Sequence, residues 1–116
     1  QFEASLGWLT QTNKTIKNTR EYIASLKAHQ PSGKLFEYTS PNTFVLSWLA
    51  EAVTNKSYAN LISTEIWQKI GAEVDAIIAS PINGVPIAHG GISSNLRDMA
   101  RFGLMFTPSG RKKIIL

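Results

Sequence analysis

The chain has 116 residues, 43% of them hydrophobic and 17% charged, with a formal net charge of +4. That size and balance suit one domain with a buried core and exclude a disordered or collagen-like polymer. With no cysteine in the sequence, disulfide scaffolds, thiolate zinc sites, iron–sulfur clusters and cysteine nucleophiles are excluded together.

In chain order, Asn18 followed by Glu21 spells a capping box, and Tyr22, Ile23 and Leu26 form the apolar face of a first helix. That helix should fade near His29 and Gln30, ahead of the turn cluster Pro31-Ser32-Gly33. Leu35 to Thr39 alternates weakly and is too short to assign as a strand. The clearest signal follows: Val45, Trp48, Leu49, Ala52 and Val53 repeat at helical spacing. Ser40 before Pro41 predicts the N-cap of this second helix, and Asn55 its end. A third helix is predicted from Ser57, with Tyr58, Leu61, Ile62, Ile66 and Ile70 inward and Gly71 as its stop. Residues 72–92 carry Pro81, Asn83-Gly84, Pro86 and Gly90-Gly91, the pattern of a loop with short extended pieces, Val74 to Ala79 among them. A fourth helix starts near Asn95, with Asp98 three residues on, buries Leu96, Met99, Ala100, Gly103 and Phe106, and is closed by Pro108. Ile114-Ile115-Leu116 ends the sequence inside an apolar run, so the chain reads as a segment of something longer.

Most motif searches return nothing. The sequence has no GxGxxG, Walker A loop, HExxH or GxSxG, and no apolar run near the roughly 20 residues that span a bilayer. Lys14, Lys17 and Arg20, and Arg111, Lys112 and Lys113, are short clusters without interleaved aromatics, so no nucleic acid partner is expected. His29 and His89 have no evident serine or carboxylate partner. A helix C-terminus accounts for the first and the tight Gly90-Gly91 backbone for the second. Neither a metal nor a cofactor is expected.

The stretch with chemical promise is Phe36-Glu37-Tyr38-Thr39-Ser40-Pro41-Asn42-Thr43, directly ahead of the strongest helix. A tyrosine before a helix start can project into a cleft, where the positive helix end and a lysine favour its phenolate. Such a phenolate can take a proton from a serine hydroxyl and return it to a leaving group. The same residues also suit a structural role, with Tyr38 packed on Trp48 and Ser40 capping a helix.

A resemblance bears on that choice. Gly33-Lys34-Leu35-Phe36-Glu37-Tyr38-Thr39-Ser40, then Asn42-Thr43 and Val45 to Thr54, resemble the middle of the serine beta-lactamase and penicillin-binding-protein superfamily. Gly91 to Gly103 is similar to its "GG-x-s-x-x-x-D-x-a-r-f-g" segment. Ile66-Trp67-Gln68-Lys69-Ile70-Gly71-Ala72-Glu73-Val74-Asp75-Ala76 is similar to a phrase of its class C-like branch of esterases and aminohexanoate-oligomer hydrolases. The resemblance covers roughly residues 18–110.

It implies an α/β fold, an antiparallel sheet flanked by helices with a helical subdomain, of which residues 1–116 would be a central, mainly α segment. In the superfamily a Ser-x-x-Lys supplies the nucleophile and its basic partner, a Tyr-x-Asn or Tyr-x-Ser the proton-shuttling tyrosine, and a Lys/His-x-Gly strand part of the oxyanion site. Tyr38 matches the tyrosine and Ser40 the third position of that motif, which makes these the two candidate catalytic residues. Ser109-Gly110-Arg111-Lys112 and His89-Gly90-Gly91 match the other two formally, but stand in the wrong order for the family. They read as a basic surface turn and as a bend before a helix.

The implied function is a segment of a serine hydrolase that cleaves small esters or amides through an acyl-enzyme. The isolated chain is then expected to be inactive and to expose apolar faces that favour self-association or association with missing segments. A non-catalytic penicillin-binding-like module is the alternative, and a free-standing helical interaction domain a third reading. A periplasmic or extracellular setting fits many relatives, with any export signal ahead of residue 1.

Overall fold

The computed structural model describes residues 2–6, 18–80 and 84–111. Its helices begin where a side chain or an extended residue can serve the first free amides. α1 (Phe2–Ser5) is a single turn in which the Ser5 hydroxyl donates to the Phe2 carbonyl. α2 (Thr19–Ser25) starts on Asn18, whose Oδ1 accepts the Glu21 amide at 2.9 Å, as the capping spacing predicts. It stops short of His29. Leu26 is already extended (φ −68°, ψ 141°) and exposed, so no burial favours another turn. The Thr19 hydroxyl donates to the Ser5 carbonyl and joins α2 to α1.

α3 (Ser40–Thr54) carries the first correction: its N-cap is Thr39, with Ser40 already helical and Pro41 in the opening turn. Proline is tolerated there because the amide it lacks would have no helical partner. Asn55 ends the helix in a left-handed conformation (φ 54°), its amide bonded to the Glu51 carbonyl at 2.8 Å. The predicted inward stripe is the second correction. Val45, Leu49 and Val53 are exposed, and the buried positions are Phe44 and Ser47 with Trp48 at the edge. The packed face lies one residue round from the more apolar one, because Leu6 and Ile87 meet α3 at Phe44.

Ser57 caps α4 (Tyr58–Leu61), accepting the Asn60 amide, and α4 runs directly into a π-helical turn, Ile62–Trp67. There the Gln68 amide reaches back five residues to the Ser63 carbonyl at 2.9 Å. The extra residue per turn rotates the following face. Trp67, outside the predicted inward set, is therefore buried together with Ile70. Gly71 stops the segment at φ 68°, a conformation that glycine adopts without steric cost.

β1 (Ile77–Ile78) pairs antiparallel with β2 (Ile92–Ser93), Ile77 opposite Ser93 and Ile78 opposite Ile92. The extended stretch predicted from Val74 to Ala79 narrows to two residues, and at its far end Ala79 divides its bonds between two partners. Its amide bonds the Gly91 carbonyl at 2.8 Å, and its carbonyl turns to the Ile87 amide at 2.9 Å.

α5 (Leu96–Leu104) begins on Asn95, which accepts the Asp98 amide at 2.7 Å. Its predicted inward residues Leu96, Met99, Ala100, Gly103 and Phe106 are exposed, and Asp98 and Met105 are buried instead. Pro108 does not close α5; it opens the short α6 (Pro108–Arg111). Ile114 to Leu116, Lys14, Lys17, Lys112 and Lys113 lie outside the described residues.

Two apolar clusters hold these elements. Leu6, Phe44 and Ile87 gather Phe2, Ile23, Trp48 and Val85, while Trp67, Ile70 and Met105 gather Ile66, Ala72, Ala76 and Phe102. The first underlies the start of α3, and the second joins the π turn to α5. The described residues are mainly helical with one short antiparallel pair, and no helix among them is long and apolar enough to cross a membrane.

Candidate functional site

Tyr38 stands two residues ahead of α3 on backbone that is extended at Thr39 (φ −137°, ψ 130°). Extended backbone sends alternate side chains to opposite sides. Leu35, Glu37 and Thr39 line a cleft of about 460 Å³ together with Lys27, His29 and Pro41; Tyr38 does not line it, contrary to the expectation of a cleft-facing tyrosine, and Leu35, Phe36 and Tyr38 are all exposed. The Tyr38 residue is 71% exposed, which rules out the structural alternative of a ring packed on Trp48. Trp48 instead meets Phe44 edge-on at 6.1 Å and carries the Arg20 guanidinium 5.1 Å above its ring.

Ser40, the other candidate, is half-buried at the first helical position. The Asn42 amide bonds the Thr39 carbonyl at 3.2 Å, and no acidic side chain lies in the first turn of α3 to offset its positive end. Tyr38 and Ser40 therefore share one short segment, open to solvent on the tyrosine side, at the positive pole of a 15-residue helix. Such a place favours a developing negative charge.

The two histidines take different places from those predicted. His29 lies beyond the end of α2, so a helix C-terminus does not account for it; its Nε2 is 3.6 Å from Glu37 Oε2 across the cleft. His89 is half-buried, its ring 5.3 Å from that of Phe44 and 5.5 Å from that of Phe2. The tight backbone expected nearby sits at Gly91, at φ 74°, where a Cβ would come 2.9 Å from the Ala79 Cβ. In the formal Ser-x-x-Lys, Ser109 shares a 3.2 Å hydrogen bond with Thr107, and Lys112 is outside the described residues. Among the described residues no group of three or more acidic or histidine side chains could hold a metal ion.

A polar centre that sequence reasoning met as a capping pair and as part of a family-like segment, without assigning it a role, lies on α5. Asp98 has no solvent exposure. Its Oδ1 accepts the Glu73 amide at 3.0 Å and Arg101 Nη1 at 2.6 Å; its Oδ2 accepts the Val74 amide at 3.2 Å and Asn95 Nδ2 at 3.0 Å. Burial alone would push its pKa up, but those donors outweigh it and hold the carboxyl below the usual aspartate value. Arg101 also reaches Glu73 Oε1 at 2.6 Å, and the two carboxylates raise the guanidinium pKa. With both oxygens doubly engaged, Asp98 has no lone pair to offer a substrate. It fastens the 73–74 turn to α5. The sequence signals were the Asn95–Asp98 spacing and the place of Asp98 and Arg101 in the family-like Gly91–Gly103 segment.

Comparison with known proteins accords with this geometry. A family model described as "Beta-lactamase" matches residues 2–114. The "6-aminohexanoate-dimer hydrolase" of Paenarthrobacter ureafaciens is 37% identical over 108 residues, which cover 93% of this chain and 27% of that protein. The chain thus spans about a quarter of the length of the curated relative it matches. A match over nearly every residue, taking in Tyr38, Ser40 and the Asp98 centre alike, means that the chain belongs to the beta-lactamase family, with the α/β fold and the kinship to serine hydrolases that this carries.

Proposed function

We propose that this chain is a central part of a serine hydrolase that cleaves small esters or amides through an acyl-enzyme, with Tyr38 as the general base and then the acid. The observation that carries the reading is the exposed phenol directly ahead of the positive end of α3, in a chain of this family. Tyr38 takes the proton of a serine nucleophile as the hydroxyl attacks the substrate carbonyl. It returns that proton to the departing alcohol or amine, which leaves an acyl-enzyme for water to open. Ser40, two residues on, orients the phenol or the substrate.

The sequence has no Ser-x-x-Lys ahead of Tyr38, so the nucleophile, its lysine and the oxyanion site are assigned to other parts of a longer protein. The 116-residue chain alone is expected to be inactive. The name of the relative, a dimer hydrolase, supports a small substrate with a hydrolysable linkage.

The test is Tyr38→Phe in the longest natural form of the protein. An acylation rate lower by about 100-fold or more is expected, within the range for loss of a positioned acid–base group, with an unchanged Tm. Near-normal turnover would overturn the assignment. For the isolated chain, intact mass after treatment with a fluorophosphonate should show no adduct, and labelling of one of its own serines would contradict the proposed inactivity.

A further inference from the structure

We infer that the exposed apolar stripe of α3 is the docking surface for the helical segment that carries the serine nucleophile, on the reading above that Tyr38 is the general base of an acyl-enzyme hydrolase. At about 100° per residue, Asn42, Val45, Leu46, Leu49 and Val53 fall on one side of α3. All five are exposed. The opposite side is already occupied: Phe44 packs with Leu6 and Ile87, and Glu51 accepts the Tyr58 amide at 2.7 Å. Four aliphatic side chains at this spacing form a ridge that a second helix meets at about 8–10 Å between axes. The aliphatic stripe offers no hydrogen-bond partner, so whatever covers it must pair its own backbone groups, as a helix does.

Position decides which segment takes that place. Tyr38 stands at the Asn42 end of the stripe, and its phenol needs a serine hydroxyl within hydrogen-bond reach. The sequence holds no Ser-x-x-Lys ahead of Tyr38 and spans about a quarter of its relative, so that serine comes from other parts of a longer protein. Three surfaces surround Tyr38 among the described residues. The packed side of α3 is filled, the cleft is lined by the charged Lys27 and Glu37 and by His29, and the stripe is apolar and open. Leu96, Met99, Leu104 and Phe106 are exposed as well, but on and just beyond α5, which joins the second cluster and not the start of α3. A packed helix fixes a catalytic hydroxyl more precisely than a loop, and the stripe is where one can be fixed beside Tyr38. A second copy of this chain would cover the stripe and leave Tyr38 without the nucleophile that the reading requires.

Photo-leucine, a diazirine analogue of nearly the same volume, replaces leucine throughout the longest natural form of the protein and so tests the docking with little change in packing. A mixture of light and 15N-labelled protein is irradiated, a fluorophosphonate marks the nucleophilic serine, and peptide masses locate both. Leu49 lies nine residues beyond Ser40, about 14 Å along α3, and a helix alongside covers that distance in as many residues. Crosslinks from Leu46 and Leu49 are therefore expected within about ten residues of the marked serine, in the same molecule. A marked serine with crosslinks to a remote segment, with light–heavy pairs, or with addition of water alone would overturn the docking and leave the hydrolase reading standing. A protein in which no serine is marked would overturn both.

Discussion

A carboxylate without solvent exposure is stable only if its lone pairs are occupied, and Asp98 occupies them with two backbone amides, an amide side chain and a guanidinium. Its folded pKa is therefore depressed. The stability it contributes is fully present above the unfolded aspartate value of about 3.9 and is lost as pH falls towards the folded value. Asp98→Asn puts an NH2 donor among groups that are all donors. It should lower Tm by more than about 5 °C at neutral pH and flatten the melting temperature between pH 5 and 3, both read by thermal denaturation. An unchanged Tm would mean that the turn is held some other way. Glu65 is the contrast. Lys69 and Lys56 bring its carboxyl down to about 2, yet the group faces solvent and ions screen it. Glu65→Gln is expected to shift Tm by no more than about 2 °C, an effect that disappears in 1 M salt.

The elements repeat one lesson about caps. Asn18 and Asn95 each accept the amide three residues on, at 2.9 and 2.7 Å. Asn95 also donates to the buried Asp98, whereas the Asn18 cap lies at the surface. Asn18→Ala should cost about 0.5–1 kcal/mol, the lower part of the range for a cap, and Asn95→Ala about 2 kcal/mol. Urea denaturation of the two variants compares them directly, and equal losses would show that the Asp98 contact adds nothing. The asparagine caps of α2 and α5, Pro41 and the glycine stop at residue 71 were legible because each works through two to four neighbouring residues, whereas the cap of α3 was placed one residue late. The π turn was not. Widening a turn by one residue is a compromise between the local ladder and the packing of Trp67, and only the second of these is absent from a local pattern.

At the scale of the whole molecule, the exposed faces stand out. Val45, Leu46, Leu49 and Val53 expose the apolar side of α3, with Leu35 and Phe36 also exposed just ahead of the helix. Exposed apolar patches of this kind favour association. The chain is expected to sediment as a concentration-dependent mixture, and Leu46→Glu with Leu49→Glu should shift it to monomer without lowering Tm. A wild-type monomer at 100 μM would remove the association expectation. Where other parts of a longer hydrolase cover this face, the same double substitution would destabilise that protein instead.

By itself the sequence determined the helical character, the asparagine caps of α2 and α5, the turn at Pro31-Ser32-Gly33, the C-terminal ends of α3 and of the π segment, and the family through ordered motifs around Tyr38 and Asp98. These are local properties or matches of order and spacing. Which face of each helix is buried was decided only in three dimensions. Periodicity finds the most apolar stripe of α3, but Phe44 was turned inward by Ile87 and Leu6, each about 40 residues away in the chain. In α5 a fully bonded aspartate displaced the apolar stripe, since an amphipathic pattern records what a side chain would gain in an apolar environment. It does not record the amides of Glu73 and Val74 that wait for a carboxylate.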